Sequence, residues 1–207
     1  MYFEAAAAAI IIGLLLGGSV KRLAELRVNG LWLLIASLAV TLITRVPAAA
    51  DALAGLGTPA AVTAAVLRYG FLIAFAAENL RSVPIDLIGT GGVLNAAAML
   101  ANSGRMPVAA SALGAGGQHV ALLRSGAIFN YTLAGADTRL YPICDIIRAR
   151  GFSVYYLSVG DVLISFGVFA LIIFLMRPSR LHFRNNKAAK DVSATEDRTD
   201  AGHKDIP

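Results

Sequence analysis

The sequence predicts an all-α fold, a polytopic integral membrane helical bundle of about five transmembrane helices. Apolar residues make up 57% of the 207 residues and charged ones 15%, against roughly 45–50% and 25% in soluble domains. The mean hydropathy is correspondingly high, at +0.68. Five stretches also approach the roughly 20 apolar residues that a helix needs to cross the hydrocarbon core. Together these values exclude a soluble globular enzyme and a largely disordered chain. Cys144 is the only cysteine, so a disulfide scaffold is excluded as well. The net charge of +5 does not point to nucleic acid, because the basic residues do not line up along one soluble face.

The predicted spans are about 5–20, 31–46, 60–80, 85–101 and 157–176, with a loop at 102–156. The first opens on a run of alanines followed by IIIGLLLGG. A secretory leader would need basic residues ahead of that run, and only Glu4 stands there, so an uncleaved helix is expected. Lys21, Arg22 and Arg27 follow it, and Arg177, Arg180, Arg184, Lys187 and Lys190 follow the last span. Basic flanks mark the cytoplasmic side. The expected topology is therefore a multi-pass cell-membrane protein, N-terminus outside and C-terminus cytoplasmic. Residues 177–207 mix charges with few large apolar residues and read as a disordered tail. The tail's basic start suits anionic lipid headgroups, though plain anchoring of the topology is the simpler reading. The bilayer itself is the expected partner, with a homodimer or another membrane protein as further partners.

GTGG at 89–92 and GAGG at 114–117 superficially suggest phosphate loops. Neither is followed by the Gly-Lys-Ser/Thr such a loop uses, and 89–92 falls inside a span. Close helix packing through small residues is the better reading. Gly13 and Gly17 have the small-residue contact spacing, read as packing within the chain, with homodimerisation as the alternative. His119, His182 and His203 are scattered, so no metal site is predicted, and no cofactor motif is present.

Arg68 lies within the third span, where a charge is costly and faces a partner or water. Snorkelling toward the surface competes with a partner such as Asn95 or an acidic group. Asn95 and Asn102, seven residues apart, share a helix face. The fourth span ends in ANSGRMPV, where Asn102, Ser103 and Gly104 signal a turn and Pro107 blocks further helix. The fifth span opens at SVGDVLISFG. Asp161 there is either a functional ionisable group or a first-turn carboxylate with Ser158 as N-cap. Asn102, Asp137, Asp145 and Asp161 all fall in one outer layer, and the turn at 102–108 is expected to pack on Ser158–Asp161 and donate to Asp161.

LANSGRMPV, DTRLYPICDII and SVGDVLISFG, with the basic loop after the first span, resemble a family of uncharacterised bacterial membrane proteins. Its members look like five-span proteins with Asn-Gly-Gly-x-Met-Pro-Val, Thr-Arg-Leu…Gly-Asp-Ile-Ile and Ser-x-Gly-Asp motifs. This chain has Ser103 and Cys144 where that family has glycine. The resemblance spans about residues 1–176 and implies an architecture without an assigned activity. A second similarity is to lipoprotein signal peptidase, a membrane aspartyl endopeptidase. Asn102-Ser103-Gly104, Asp137-Thr138-Arg139 and Gly160-Asp161 fall in the same order as its motifs. That likeness implies Asp137 and Asp161 as a catalytic pair. Against it, the peptidase family has two helices between the first two motifs, which 35 residues of Gly-rich chain cannot supply. Gly160 also replaces its usual alanine.

Three functions compete. The first is a non-enzymatic scaffold or binding module whose outer polar cluster comprises Asn95, Asn102, Gly104, Met106, Pro107, Arg139, Asp145, Ser158 and Gly160. The second is an aspartyl endopeptidase using Asp137 and Asp161. The third is a small transporter lined by Arg68 and Asn95. The sequence halves show no internal repeat of the kind transporters often carry.

Overall fold

The computed structural model describes residues 2–24, 28–80, 82–113, 117–150 and 154–177. Arg27, Arg81, residues 114–116 of the GAGG stretch and the tail beyond 177 lie outside the described residues. The side chain of His119 lies outside them as well. By its internal contacts the chain divides into two units, Met1–Met176 and Arg177–Pro207.

The apolar stretches form α1 (Tyr2–Leu15), α3 (Leu31–Ile43), α5 (Thr58–Glu78), α6 (Val83–Ala101) and α9 (Val159–Met176). Short helices α2 (Val20–Ala24) and α4 (Pro47–Gly55) lie between the first of these. Among the described residues, α5, α6 and α9 alone are long and apolar enough to cross a membrane. A fourth crossing follows if α3 and α4, bent by 84° at their junction, form one broken span. The bend falls where Pro47 starts α4. Pro47 lacks the N–H that would continue the α3 ladder. The first predicted span is corrected at both ends. Its helix begins at Tyr2 and stops at Leu15, because Gly17 turns away with φ +79°.

Consecutive apolar helices alternate in direction. Asn79 at the end of α5 donates to Asn29 O at 2.8 Å, which sets the start of α3 beside it. Ser37 of α3 donates to Arg68 O at 2.7 Å midway along the pair. Trp32 meets Phe71 edge-on across the same contact, with ring centroids 6.4 Å apart. At one end of α1 and α9, Tyr2 lies against Asp161, and at the other Gly13 lies against Met176. These two helices therefore run parallel. The glycine prediction holds for Gly13, whereas a Cβ on Gly17 would meet nothing within 4 Å, so that glycine serves the turn that ends the helix.

The 89–92 glycines sit between two neighbours. A Cβ on Gly89 would lie 2.7 Å from Ala76 Cβ of α5, and one on Gly91 would lie 2.8 Å from Ile164 of α9. These glycines therefore pack helices. Exposed faces carry Leu15, Trp32, Ile35, Phe166 and Phe174. Such a surface suits lipid rather than water.

The all-α expectation fails over residues 102–158, a segment termed the cap. It contains β1 (Met106–Val108), α7 (Ala110–Leu113), α8 (Gly117–Arg124), β2 (Tyr131–Leu133), a 3-10 turn (Tyr141–Ile143), β3 (Ile147–Arg150) and β4 (Val154–Leu157). β1 and β2 pair in parallel, Met106 opposite Tyr131 and Val108 opposite Leu133. β3 and β4 form an antiparallel hairpin with Arg148 opposite Tyr156. Three-residue strands are too short to show a period of two, which is why the sequence read this stretch as loop. Val108, Leu113 and Leu123 make a small core of its own. Met106 and Cys144 join the main core of Ala65, Tyr69, Leu72, Ile88, Met99 and Ile164.

Candidate functional site

At the end of α6 the Asn102 amide binds backbone on both sides. Its Nδ2 donates to Ala98 O at 2.7 Å and to Arg139 O at 2.8 Å, and its Oδ1 accepts from Arg139 N at 3.0 Å. A carboxamide has the donor and acceptor of a peptide group, so it satisfies both polar groups of Arg139 at once. The turn itself needs positive φ at Ser103 (59°) and Gly104 (79°). Gly104 N–H returns to Met99 O at 2.8 Å, closing the last helical turn. A Cβ on Gly104 would approach within 2.7 Å of Ala61 O, so the turn is pressed directly on the start of α5. The Gly104 end of the turn is thus received by α5, while Met106, further along the 102–108 stretch, shares a cavity with Asp161.

Met106-Pro107-Val108 next positions an acid. Met106 N donates to Asn130 O at 2.9 Å on the β2 side. On the other side Asp145 N donates to Pro107 O, and Ala109 N to Asp145 O, both at 3.0 Å. That ladder uses only the carbonyl of residue 107, so proline fits in a strand bonded on both edges. The Asp145 side chain is 2% exposed, and its Oδ1 has no hydrogen-bond partner. Burial, reinforced by nearby Asp161 and opposed by Arg68, pushes its carboxyl up to about 8. Burial and then Asp145 likewise push the Cys144 thiol up to about 11.

Asp161 is a hydrogen-bond hub. Its Oδ1 accepts from Asn95 Nδ2 at 2.8 Å and from the Tyr2 hydroxyl. Its Oδ2 accepts from Ser158 N at 3.4 Å, while its own N–H donates to Ser158 Oγ at 2.9 Å. This reciprocal exchange is a capping box opening α9. Ser158 Oγ also donates to Asn95 Oδ1 at 2.6 Å, and both residues are fully buried. The N-cap reading of Ser158 therefore holds together with a long-range network. Gly160 permits the close approach, since a Cβ there would sit 2.6 Å from Gly91 O. The donors to Asp161 come from α1, α6 and Ser158, in place of the expected 102–108 turn.

Arg68, Tyr69, Met99, Met106, Asn130, Tyr131, Asp145 and Asp161 surround a cavity of about 10 Å³. That is the space of a single water. Arg68 faces this polar cavity, with its guanidinium 4.9 Å from the Tyr69 ring centre.

Asp137 is exposed and lines a separate open groove with Asn102, Ser103, Arg105 and Arg139. The 137–139 segment docks at Asn102, whereas Asp161 docks at Asn95, two helical turns away or roughly 10 Å. Asp145, and not Asp137, shares a cavity with Asp161. Among the described residues no group of three His, Cys, Asp or Glu could hold a metal ion.

The match to known families covers all of these motifs. A family model described as a family of unknown function, DUF5317, matches residues 25–173. The chain belongs to DUF5317. No curated protein and no solved structure matches it. The DUF5317 stretch contains Asn95, Asn102, Asp145, Ser158 and Asp161 but not Tyr2, so the hub joins it to a helix outside the matched residues. Sequence reasoning missed Tyr2, Asn130 and Tyr131. Tyr2 carries a usable signal, a lone aromatic hydroxyl at the first turn of an apolar helix, where tyrosine marks membrane interfaces. Asn130 and Tyr131 carry none, because they reach the cavity only through the β1–β2 pairing.

Proposed function

We propose that this chain is a non-enzymatic scaffold or binding module. In this reading it crosses the cell membrane five times, N-terminus outside and C-terminus cytoplasmic, with its polar cluster at the outer surface. The alternating helix directions support five crossings, with α1 and α3 as short ones. The basic residues after α1 and α9 support the orientation. One observation carries the non-enzymatic part: both oxygens of Asp161 are engaged in holding α1, α6 and Ser158 together. The adjoining cavity has room for about one water and none for a peptide. A residue-195 cysteine labelled from outside intact cells would contradict the orientation.

The aspartyl endopeptidase reading stays as the second because Asp145 and Asp161 line the same cavity. Two carboxylates whose environments differ can divide the roles of acid and base. Here Asp145, protonated at neutral pH, would be the acid and Asp161 the base. Cleavage of a membrane-anchored peptide that is abolished in both Asp145→Asn and Asp161→Asn, and retained in Asp137→Asn, would replace the scaffold reading. Absence of cleavage by the wild type across lipoprotein-like substrates would retire the peptidase.

A further inference from the structure

α1 packs along α9 and α3 packs along α5, and a cleft of about 390 Å³ lies between the two pairs. Its walls are apolar, with Leu34, Leu38, Leu72, Ile164, Leu171 and Leu175 among them. Ser37 and Thr41 also line it, but their hydroxyls already donate to backbone carbonyls, Ser37 to Arg68 O and Thr41 to Ser37 O. The lining changes character at Tyr2, Arg68 and Tyr69, its aromatic and charged members.

Arg68 lines this cleft and the small polar cavity beyond it. Among the described residues its guanidinium donates no hydrogen bond, and its contact is the face of Tyr69. A guanidinium has five N–H donors in a planar fork. A charged group at membrane depth calls for acceptors; Asp145 and Asp161 line the small cavity on one side of Arg68, whereas the apolar walls of the cleft supply none. An occupant of the cleft that meets the guanidinium combines a hydrocarbon chain with oxygen acceptors at one end.

The height of Arg68 narrows the choice. Tyr2 and Asp161, at the same level, lie in the first turns of α1 and α9. On the cleft's α1/α9 side Arg68 thus stands level with the start of both helices, while on the α3/α5 side it lies midway along the pair. Ile164 and Leu175 on the α9 wall are separated by roughly 16 Å of helix, the length of most of one acyl chain. We propose that the cleft holds one acyl chain of a membrane phospholipid, with its phosphate bound by the Arg68 guanidinium. A planar fork matches two phosphate oxygens, a geometry that an ammonium lacks.

The test is retention of lipid by the full chain, purified in a phospholipid-free maltoside detergent and washed exhaustively. Extraction and mass spectrometry should find about one phospholipid per wild-type chain and at least tenfold less on Arg68→Gln, with Arg68→Lys intermediate. Equal retention by wild type and Arg68→Gln would overturn the phosphate contact. Free fatty acid, or a second copy of the chain, in place of phospholipid would overturn the occupant. Should Arg68→Gln fail to fold, spin-labelled phospholipid and spin-labelled fatty acid can be compared on the wild type. An immobilised fraction for the phospholipid alone supports the site. No immobilised phospholipid overturns it.

Discussion

Where α6 meets α9 the contact depends on side chains that are absent: Gly91 and Gly160 leave room for backbone to approach backbone. Where the cap meets the end of α6 it depends on a side chain that is present, the Asn102 amide bonded to both polar groups of Arg139. The difference follows from the surroundings of each region. Helices satisfy their own backbone internally, so in lipid they associate by close packing. The cap has strands of three or four residues, and its backbone groups find partners in Asn102 and in the two-sided ladder around Pro107. Packing thus specifies the bundle and hydrogen bonding specifies the cap. The two regimes meet at Asn95, Ser158 and Asp161.

The largest effect should come from filling the helix contact. Gly160→Leu places a side chain where Gly91 O and Asn95 already lie. It should cost about 3 kcal/mol, read as a lower melting temperature in detergent with loss of bundle and cap together. Asn102→Ala should cost about 2 kcal/mol through its lost hydrogen bonds. Its signature is selective: faster hydrogen exchange around 130–145, with α5, α6 and α9 unchanged. Uniform loosening would mean that the cap has no anchor of its own.

A pH series sharpens the comparison further. Burial pushes the Asp145 carboxyl up to about 8 in the folded chain, against 3.8 for an ordinary aspartate side chain. Between those values the folded state keeps a proton that the unfolded state releases. Stability should therefore fall as pH rises from about 4 to about 8 and level off above. Asp145→Asn should remove that slope and melt higher than wild type at pH 8. A slope unchanged by the substitution would place its origin elsewhere. Asp137→Asn, at an exposed position, should stay within about 0.5 kcal/mol of wild type.

The bundle was legible in the sequence because its signals are local. Apolar runs located α1, α3, α5, α6 and α9, three of them long enough to cross a membrane, and small residues announced their contacts. Helix ends were less legible: Gly17 and Pro47 set them through backbone geometry rather than hydropathy. In the site, Asn95, Ser158 and Asp161 stood out as polar residues at apolar positions, although Asn95 was paired with Arg68 and in fact bonds Asp161. Asp137 drew attention through its Asp-Thr-Arg motif, yet Asp145 reaches the cavity, because the ladder at Pro107 directs it there. That pairing joins residues far apart in sequence through a few backbone bonds, and no residue pattern encodes it.

The Asn95–Asp161 contact couples the two regimes as a structural unit. A double-mutant cycle with Asn95→Ala and Asp161→Ala, followed by reversible unfolding in detergent, measures it directly. A coupling of about 1.5–3 kcal/mol is predicted for a part-buried hydrogen bond to an acidic side chain. Additive losses within about 0.5 kcal/mol would contradict the account.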